Sequence, residues 1–308
     1  MNPFRVNPPA VPHPMNLDAR LEKHRTRLDK HLARLLPPED EPPATLHEAM
    51  RYSVLAGGKR LRPILCLETA AALSERTEGI EDLACALEFI HTYSLIHDDL
   101  PALDNDDLRR GQPTCHKKFG EAIAILAGDA LLTLAFEILG RMHQPEPYRR
   151  TQIIRELAVA AGTRGGMIGG QVADLEAAGK KTTAAQLELI HRAKTGALIR
   201  AAVRCGALFA GARGRAYEHL SNYGENVGLA FQIVDDLLDV RSTSERLGKR
   251  AGKDAAKHKA TYPAVHGLEE SEKAATKLVE AACAELDFLG ERADVLAALA
   301  RHILARAA

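Results

Sequence analysis

The sequence predicts an all-α protein, and three observations carry that reading. Ala, Leu, Glu, Arg and Lys dominate the chain, and these are strong helix formers. Apolar residues return every three or four positions, as at Leu17, Leu21, Leu28, Leu32 and Leu35. No stretch sustains the apolar–polar alternation of a half-buried strand. Aromatic residues make up only 4% of the chain, with no Trp, whereas β-sandwiches favour aromatic and β-branched side chains.

The elements follow in order. Residues 1–16, MNPFRVNPPAVPHPMN, hold five prolines and no apolar run. They read as a flexible tail rather than a secretory leader, ahead of a single helical unit over 17–308. Breaks fall where Pro, Gly and Asn collect: PPEDEPP (37–43), AGGKRLRP (56–63), HQPEPY (143–148), GARG (211–214) and HGLEES (266–271). The segments between them suit helices of roughly 10–25 residues. One segment, AIAILAGDALLTLAFEILG (122–140), is apolar enough to suggest a membrane span, but it contains Asp129 and Glu137. A charge near a bilayer centre costs about 2.5–3.5 kcal/mol, so a buried helix of a soluble protein is expected, with no stable membrane insertion. The polar, glycine-containing stretch 241–259 reads as a mobile lid.

Composition excludes several classes. The 308 residues carry 41 Lys and Arg against 41 Asp and Glu, a net charge of zero. That lacks the basic excess behind non-specific nucleic-acid binding. With 46% hydrophobic residues the chain can build a core, so it is not a disordered acidic protein. The five cysteines, Cys66, Cys85, Cys115, Cys205 and Cys283, are odd in number and form no C-x-x-C pair. A disulfide framework or zinc site is not expected, and a reducing cytoplasmic setting is.

Two aspartate-rich motifs carry the chemistry. HDDLPALDNDDLRRG (97–111) holds Asp98, Asp99, Asp104, Asp106 and Asp107, followed by Arg109 and Arg110. FQIVDDLLDV (231–240) holds Asp235, Asp236 and Asp239. A helix turns about 100° per residue, so Asp235, Asp239 and Gln232 share one face of an otherwise apolar helix. Carboxylates on such a helix need a reason, because unpaired burial is costly. Asp98 and Asp104 would lie about 120° apart on a straight helix, but Pro101 disfavours helix at Leu100, and a bend there brings Asp104 back toward Asp98. His91, seven residues before Asp98, points the same way. Clustered carboxylates make sense with divalent cations between them. Mg²⁺ takes a few carboxylates, waters and phosphate oxygens. Two facing clusters would hold a diphosphate through bridging magnesium, with Arg and Lys on the same group.

These motifs resemble those of the polyprenyl (isoprenyl) diphosphate synthase family. The resemblance runs from about residue 20 to the end and includes GGKRLRP (57–63), LAGDALL (126–132), GGQVADL (169–175), KTG (194–196) and TYPA (261–264) in the family's order. It implies an isoprenoid-synthase-type helical bundle with a central substrate cavity. The implied reaction joins an allylic diphosphate, dimethylallyl or geranyl, head to tail with isopentenyl diphosphate. Magnesium draws charge from the leaving diphosphate, which is electrostatic and Lewis-acid catalysis. The implied cofactor is Mg²⁺, three ions per active site, with Mn²⁺ able to stand in. The implied assembly is a homodimer.

Site residues follow from the same resemblance. Asp98, Asp99, Asp104, Asp235, Asp236 and Asp239 are the metal ligands. Lys59, Arg62 and His91 match the isopentenyl diphosphate site. Arg109 matches a contact to the allylic diphosphate and Arg110 one to isopentenyl diphosphate. Charge compensation for the aspartates is the plainer reading of that pair, and the two are compatible. Lys194 and Thr195 match the allylic lysine and its neighbour, which shield the nascent cation, and Gln232 matches a glutamine of the second motif. Lys249 and Lys259 match lysines near the C-terminal end. Gln171 and Asp174 also fit a family motif, with a less defined role. The two extra residues in the first motif resemble the bacterial farnesyl-producing branch, which commonly has Asp where this chain has Asn105. An aromatic residue five before the motif marks that branch, so Tyr93, with Ser94, is the expected floor that stops chain growth. The alternatives are a geranylgeranyl or longer-chain synthase, a terpene cyclase, and a non-catalytic subunit of a heteromeric synthase. A cyclase lacks the GGKRLRP site, and silent subunits lose aspartates that this chain keeps.

Overall fold

The structure is a computed structural model and describes residues 16–143, 147–245 and 260–306. It is helical almost throughout. The helices are α1 (Leu17–Leu35), α2 (Ala44–Leu55), α3 (Leu61–Leu73), α4 (Ile80–Asp98), α5 (Cys115–Phe119), α6 (Glu121–Arg141) and α7 (Pro147–Ala161). They continue with α8 (Met167–Ala177), α9 (Ala184–His191), a π-helical turn (Arg192–Gly196), α10 (Ala197–Phe209) and α11 (Gly214–Glu245). After the segment that is not described come α12 (Tyr262–His266), α13 (Leu268–Ala284), a 3₁₀ stretch (Asp287–Ala293) and α14 (Asp294–Ala305).

Local chemistry sets several boundaries. Asn16 caps α1 by accepting from the Ala19 N–H at 3.0 Å. Thr183 and Gln186 form a reciprocal capping box at the start of α9. Thr261 caps α12, whose first turn holds Pro263. α3 starts at Leu61, two residues before the proline that marked it in the sequence, because Pro63 is tolerated within a first turn.

α4 and α10 form the centre of the bundle. α4 packs on α6, α3 and α1, and α10 packs on α3, α7 and α11. Leu83, Leu87, Phe89 and Ile90 of α4 are fully buried, as are Leu198, Ile199 and Val203 of α10. α11 lies against α10 and α13. The apolar helix α6 is packed against α4 and α2, as its charged residues led us to expect, yet it leaves Ile125 and Leu126 exposed. It is the one helix among the described residues long and apolar enough to cross a membrane. The five cysteines are all free thiols.

One element was not foreseen. Leu108–Arg109 (β1) and Gln112–Pro113 (β2) pair antiparallel across a two-residue turn. Arg110 (φ 53°) and Gly111 (φ 79°) are both left-handed there. Such turns suit the twist of a hairpin, and this one aims the arginine pair that follows the first aspartate motif.

Candidate active site

The chain reverses at the end of α4, as Pro101 led us to expect. The Asp104 N–H donates to the Asp98 carbonyl at 2.8 Å, and the Asp106 N–H to the Asp99 carbonyl at 3.2 Å. Asn105 sits at φ 48°, a conformation that asparagine tolerates well among non-glycine residues. Asp99 is buried, and both of its carboxylate oxygens accept from Arg109, at 2.7 and 2.6 Å. Burial raises the Asp99 carboxyl above its ordinary range, with Arg109 opposing the shift.

The second motif lies on α11. Gln232, Asp235 and Asp239 are half-buried along one side, whereas Asp236 is buried. Asp236 accepts from Gln232 Nε2 at 2.9 Å and from the Tyr262 N–H at 2.8 Å, which ties α12 to the motif. Gln232 Oε1 in turn accepts from the Thr195 hydroxyl at 2.7 Å. Thr195 and Lys194 lie in the π-helical turn, a distortion often found at functional sites. Lys194 Nζ donates to Asp174 Oδ2 at 2.7 Å, which gives a definite place to an aspartate whose role the sequence left undefined. A Cβ on Gly170 would stand 2.2 Å from the Lys194 backbone nitrogen. The second glycine of GGQVADL thus lets α8 press against the turn that carries Lys194.

A cavity of about 750 Å³ joins these parts. Lys59, Arg62, His91 and Arg110 line it together with Arg109, Thr195, Gln232 and Asp235. The loop and the hairpin meet at Gly58 (φ 135°), where a Cβ would stand 2.6 Å from the Arg110 guanidinium. Arg62 is buried at the start of α3, and its Nε has no hydrogen-bond partner among the described residues. A buried cation with an idle donor beside a cavity calls for an anion. Burial and the guanidinium groups of Arg62, Arg110 and Arg109 hold His91 well below the usual imidazole range, so it is neutral at pH 7. Burial also lowers the Lys59 ammonium, and neighbouring Arg306 adds to the shift.

Tyr93 and Ser94 lie one turn before Asp98 on α4. Tyr93 is 5% exposed, packs edge-on to His97 with centroids 5.7 Å apart, and has a hydroxyl without a partner among the described residues. Burial, then Asp98, pushes its phenol up to about 12. Ser94 is spent on its own helix, donating to the His91 carbonyl at 2.8 Å. Lys249 and Lys259 lie outside the described residues, as does most of the expected lid. Arg60 was passed over in the sequence and has a structural role. It is buried and donates to Asp29, Glu88 and the Val54 carbonyl, each at 2.8 Å.

The polyprenyl synthetase family model matches residues 43–298. The chain belongs to this family. It is 50% identical over 298 residues to the farnesyl diphosphate synthase of Escherichia coli K12, covering 95% of this chain and 99% of that enzyme. It is 47% identical to the farnesyl diphosphate synthase of Geobacillus stearothermophilus, covering 86% and 88%. It is also 49% identical to the geranylgeranyl diphosphate synthase of Cyanophora paradoxa, with the same coverages. Among solved structures, an FPP/GFPP synthase from Zymomonas mobilis superposes with a TM-score of 0.84 at 40% identity, covering 94% of this chain and 99% of that one. The bundle is therefore the isoprenoid-synthase fold, and the chain is a trans-prenyltransferase. Members of the family use divalent metal and take isopentenyl and allylic diphosphates as substrates.

Proposed function

We propose that residues 17–308 act as one catalytic unit that extends dimethylallyl and geranyl diphosphates with isopentenyl diphosphate, giving mainly farnesyl diphosphate. The carrying observation is the cavity in which an anion-seeking set, Lys59, Arg62, His91 and Arg110, faces Gln232 and Asp235 of the second motif.

Lys59, Arg62 and Arg110 hold the isopentenyl diphosphate, and neutral His91 adds a hydrogen bond. Arg109 and Lys194 bind the allylic diphosphate, leaving Asp99 and Asp174 as they do so. The Thr195 hydroxyl and the Gln232 carbonyl lie beside the carbon that becomes cationic and stabilise it with oxygen dipoles. The isopentenyl double bond attacks that carbon, and the released diphosphate takes the proton.

The metal reading passes a test of donor chemistry. Asp98, Asp99, Asp104, Asp235, Asp236 and Asp239 offer only carboxylate oxygens, the donors that Mg²⁺ prefers. Among the described residues no three acidic, His or Cys side chains converge on one point. Asp99 and Asp235 instead each face a guanidinium. These carboxylates are already matched to positive charge, and they would hold three Mg²⁺ ions, or Mn²⁺ in their place. When bound, the ions supply Lewis-acid withdrawal of charge from the leaving diphosphate.

Farnesyl as product rests on Tyr93. Pairing of two copies is supported by Ile125 and Leu126, left exposed on α6, and a cytoplasmic setting by five free thiols. Mass spectrometry of products, with dimethylallyl and geranyl diphosphates offered separately, tests the reading. A C15 diphosphate should dominate from both starters. A C20 product would move the chain to the geranylgeranyl group, and no condensation would overturn the assignment.

A further inference from the structure

A buried histidine beside the second motif has no role so far. His191 is the last residue of α9, the π-helical turn follows it at once, and it is 6% exposed. Its Nε2 stands 3.5 Å from Asp236 Oδ2, the same oxygen that accepts from the Tyr262 N–H at 2.8 Å. Its Nδ1 is buried and has no hydrogen-bond partner among the described residues. The ring stacks on Tyr262 with centroids 6.3 Å apart, and Tyr262 stacks in turn on His266 at 4.3 Å. At Asp236, His191 thus joins the turn that carries Thr195 to α11 and α12.

We infer that His191 is a positioning residue for prenyl transfer: it steadies Asp236, which keeps the Gln232 amide oxygen on the Thr195 hydroxyl. The inference rests on the reading above that Thr195 and Gln232 face the carbon that becomes cationic. The contacts form a closed circuit. The Thr195 hydroxyl donates to Gln232 Oε1 at 2.7 Å, and Gln232 Nε2 donates to Asp236 Oδ1 at 2.9 Å. His191 then leads from Asp236 back to the turn, four residues before Thr195. A side-chain amide can sit either way round, and its partners decide which end faces Thr195. An ionised carboxylate only accepts, so Asp236 selects the NH₂ end of Gln232 as long as Oδ1 stays turned toward it. The Tyr262 N–H and His191 Nε2 both lie at Oδ2 and hold the carboxylate in that orientation. With Nδ1 idle, the ring proton belongs on Nε2, facing the acceptor. At 3.5 Å the contact is longer than an ordinary hydrogen bond, and it acts as a dipole on a buried charge, where such dipoles count for more than in water.

The plainer role is packing, a ring that fills the slot beside Tyr262. Three substitutions separate the two roles. His191→Phe keeps a ring to stack but has no nitrogen. His191→Gln carries an amide nitrogen about where Nε2 stands, and His191→Asn one about where Nδ1 stands. Packing makes His191→Phe the mildest change, whereas positioning makes His191→Gln the mildest. In His191→Phe and His191→Asn, kcat should fall about tenfold while both KM values stay within about twofold, and His191→Gln should recover most of the loss. Added to Gln232→Leu, His191→Phe should lower kcat by less than about a further twofold, because it acts through that amide. A second readout needs no turnover. In the full-length chain, isotope-labelled at glutamine nitrogen and free of metal and substrate, the Gln232 NH₂ resonances should shift and exchange faster with water in His191→Phe than in wild type. A folded His191→Phe enzyme with wild-type kcat overturns the inference, as do losses that add in full to those of Gln232→Leu, or Gln232 resonances that do not move. If circular dichroism shows His191→Phe unfolded, the Asn and Gln variants decide, since they are alike in polarity and differ in where the nitrogen falls. A wild type that forms no product strikes the function above rather than the histidine contact, which the Gln232 resonances still report.

Discussion

Replacing Tyr93 with Ala should lengthen the product. Tyr93 lies on α4, five residues before Asp98, so it stands about 7.5 Å along the helix, a little over one turn, from the motif end of the site. The ring is 5% exposed and braced by His97, whose Nε2 is 3.0 Å from the Ile125 carbonyl of α6. A Cβ on Gly128 would stand 2.1 Å from that imidazole, so α6 presses directly on the brace. Truncation to Ala removes the ring and leaves the brace. One more isoprene unit adds five carbons, and at ~0.8 kcal/mol per buried CH₂ the opened space could reward it by up to ~4 kcal/mol. That corresponds to a shift of ~10³ in retention of the longer chain, an upper bound because the cavity never fills perfectly. Deleting a large buried aromatic costs ~3–5 kcal/mol of stability, so products are compared at a temperature where circular dichroism shows the variant folded. With geranyl and isopentenyl diphosphates, mass spectrometry should find C20 or longer chains displacing C15. Tyr93→Phe is the control. It keeps the ring, should remain a C15 producer, and should lose no stability because the deleted hydroxyl has no partner among the described residues. An unchanged C15 product from a folded, active Tyr93→Ala enzyme would show that another wall sets chain length.

Four further outcomes are expected. Exhaustive EDTA treatment should abolish turnover and added Mg²⁺ restore it; activity that survives chelation refutes the role given to the two motifs. Lys59→Ala and Arg62→Ala should raise the KM for isopentenyl diphosphate about tenfold or more, while Lys194→Ala acts on the allylic substrate, and exchanged effects would reverse the assignment. Gly170→Ala forces a Cβ against the Lys194 backbone, so kcat should fall about 10- to 100-fold although the residue touches no substrate, and a wild-type kcat would mean α8 can yield. His91 is held neutral by burial and its guanidinium neighbours, so below about pH 6.5 the unfolded chain binds a proton there that the folded chain refuses. Its stabilising share is present above that pH and lost on acidification, and the melting temperature of His91→Gln should fall less than that of wild type between pH 7 and pH 5.

The helical class and the reversal at Pro101 were legible because both are local. Periodicity reports helices, and a proline reports a break, as the Asp104–Asp98 hydrogen bond confirms. The shared face of Gln232, Asp235 and Asp239 was legible for the same reason. The hairpin that aims Arg110 was not, since two-residue strands leave no pattern and Arg110 at positive φ is an unusual choice. The π-helical turn under Lys194 was hidden too, because nothing in RAKTG marks it and the glycine that lets α8 approach it, Gly170, lies well before it in sequence. Arg306 and Arg60 are ordinary arginines in the sequence. What separates them, a carboxylate of the second aspartate motif for one and the pair Asp29 and buried Glu88 for the other, exists only after folding.

The charge pairing of the site bears on how its chemistry can be fast. Asp99 holds Arg109, Asp174 holds Lys194 and Asp235 holds Arg306, so each of these carboxylates is matched to a cation within the fold. At ~4 Å and an effective dielectric of ~20, two opposite unit charges attract by ~4 kcal/mol of Coulomb energy. A divalent ion doubles that attraction but gives up far more hydration, so exchange at such a carboxylate is favoured only where the displaced cation meets a phosphate in turn. On the function proposed above, binding is an exchange among opposite charges that precedes the step in which the allylic carbon loses its diphosphate. In the mechanism proposed above, stabilisation at that step falls to groups already tied in place, the Thr195 hydroxyl held by Gln232 and Gln232 held by Asp236. On this reasoning the sequence spends its aspartates twice, first as counter-ions that make a cation-rich cavity foldable, then as ligands once that role is relieved.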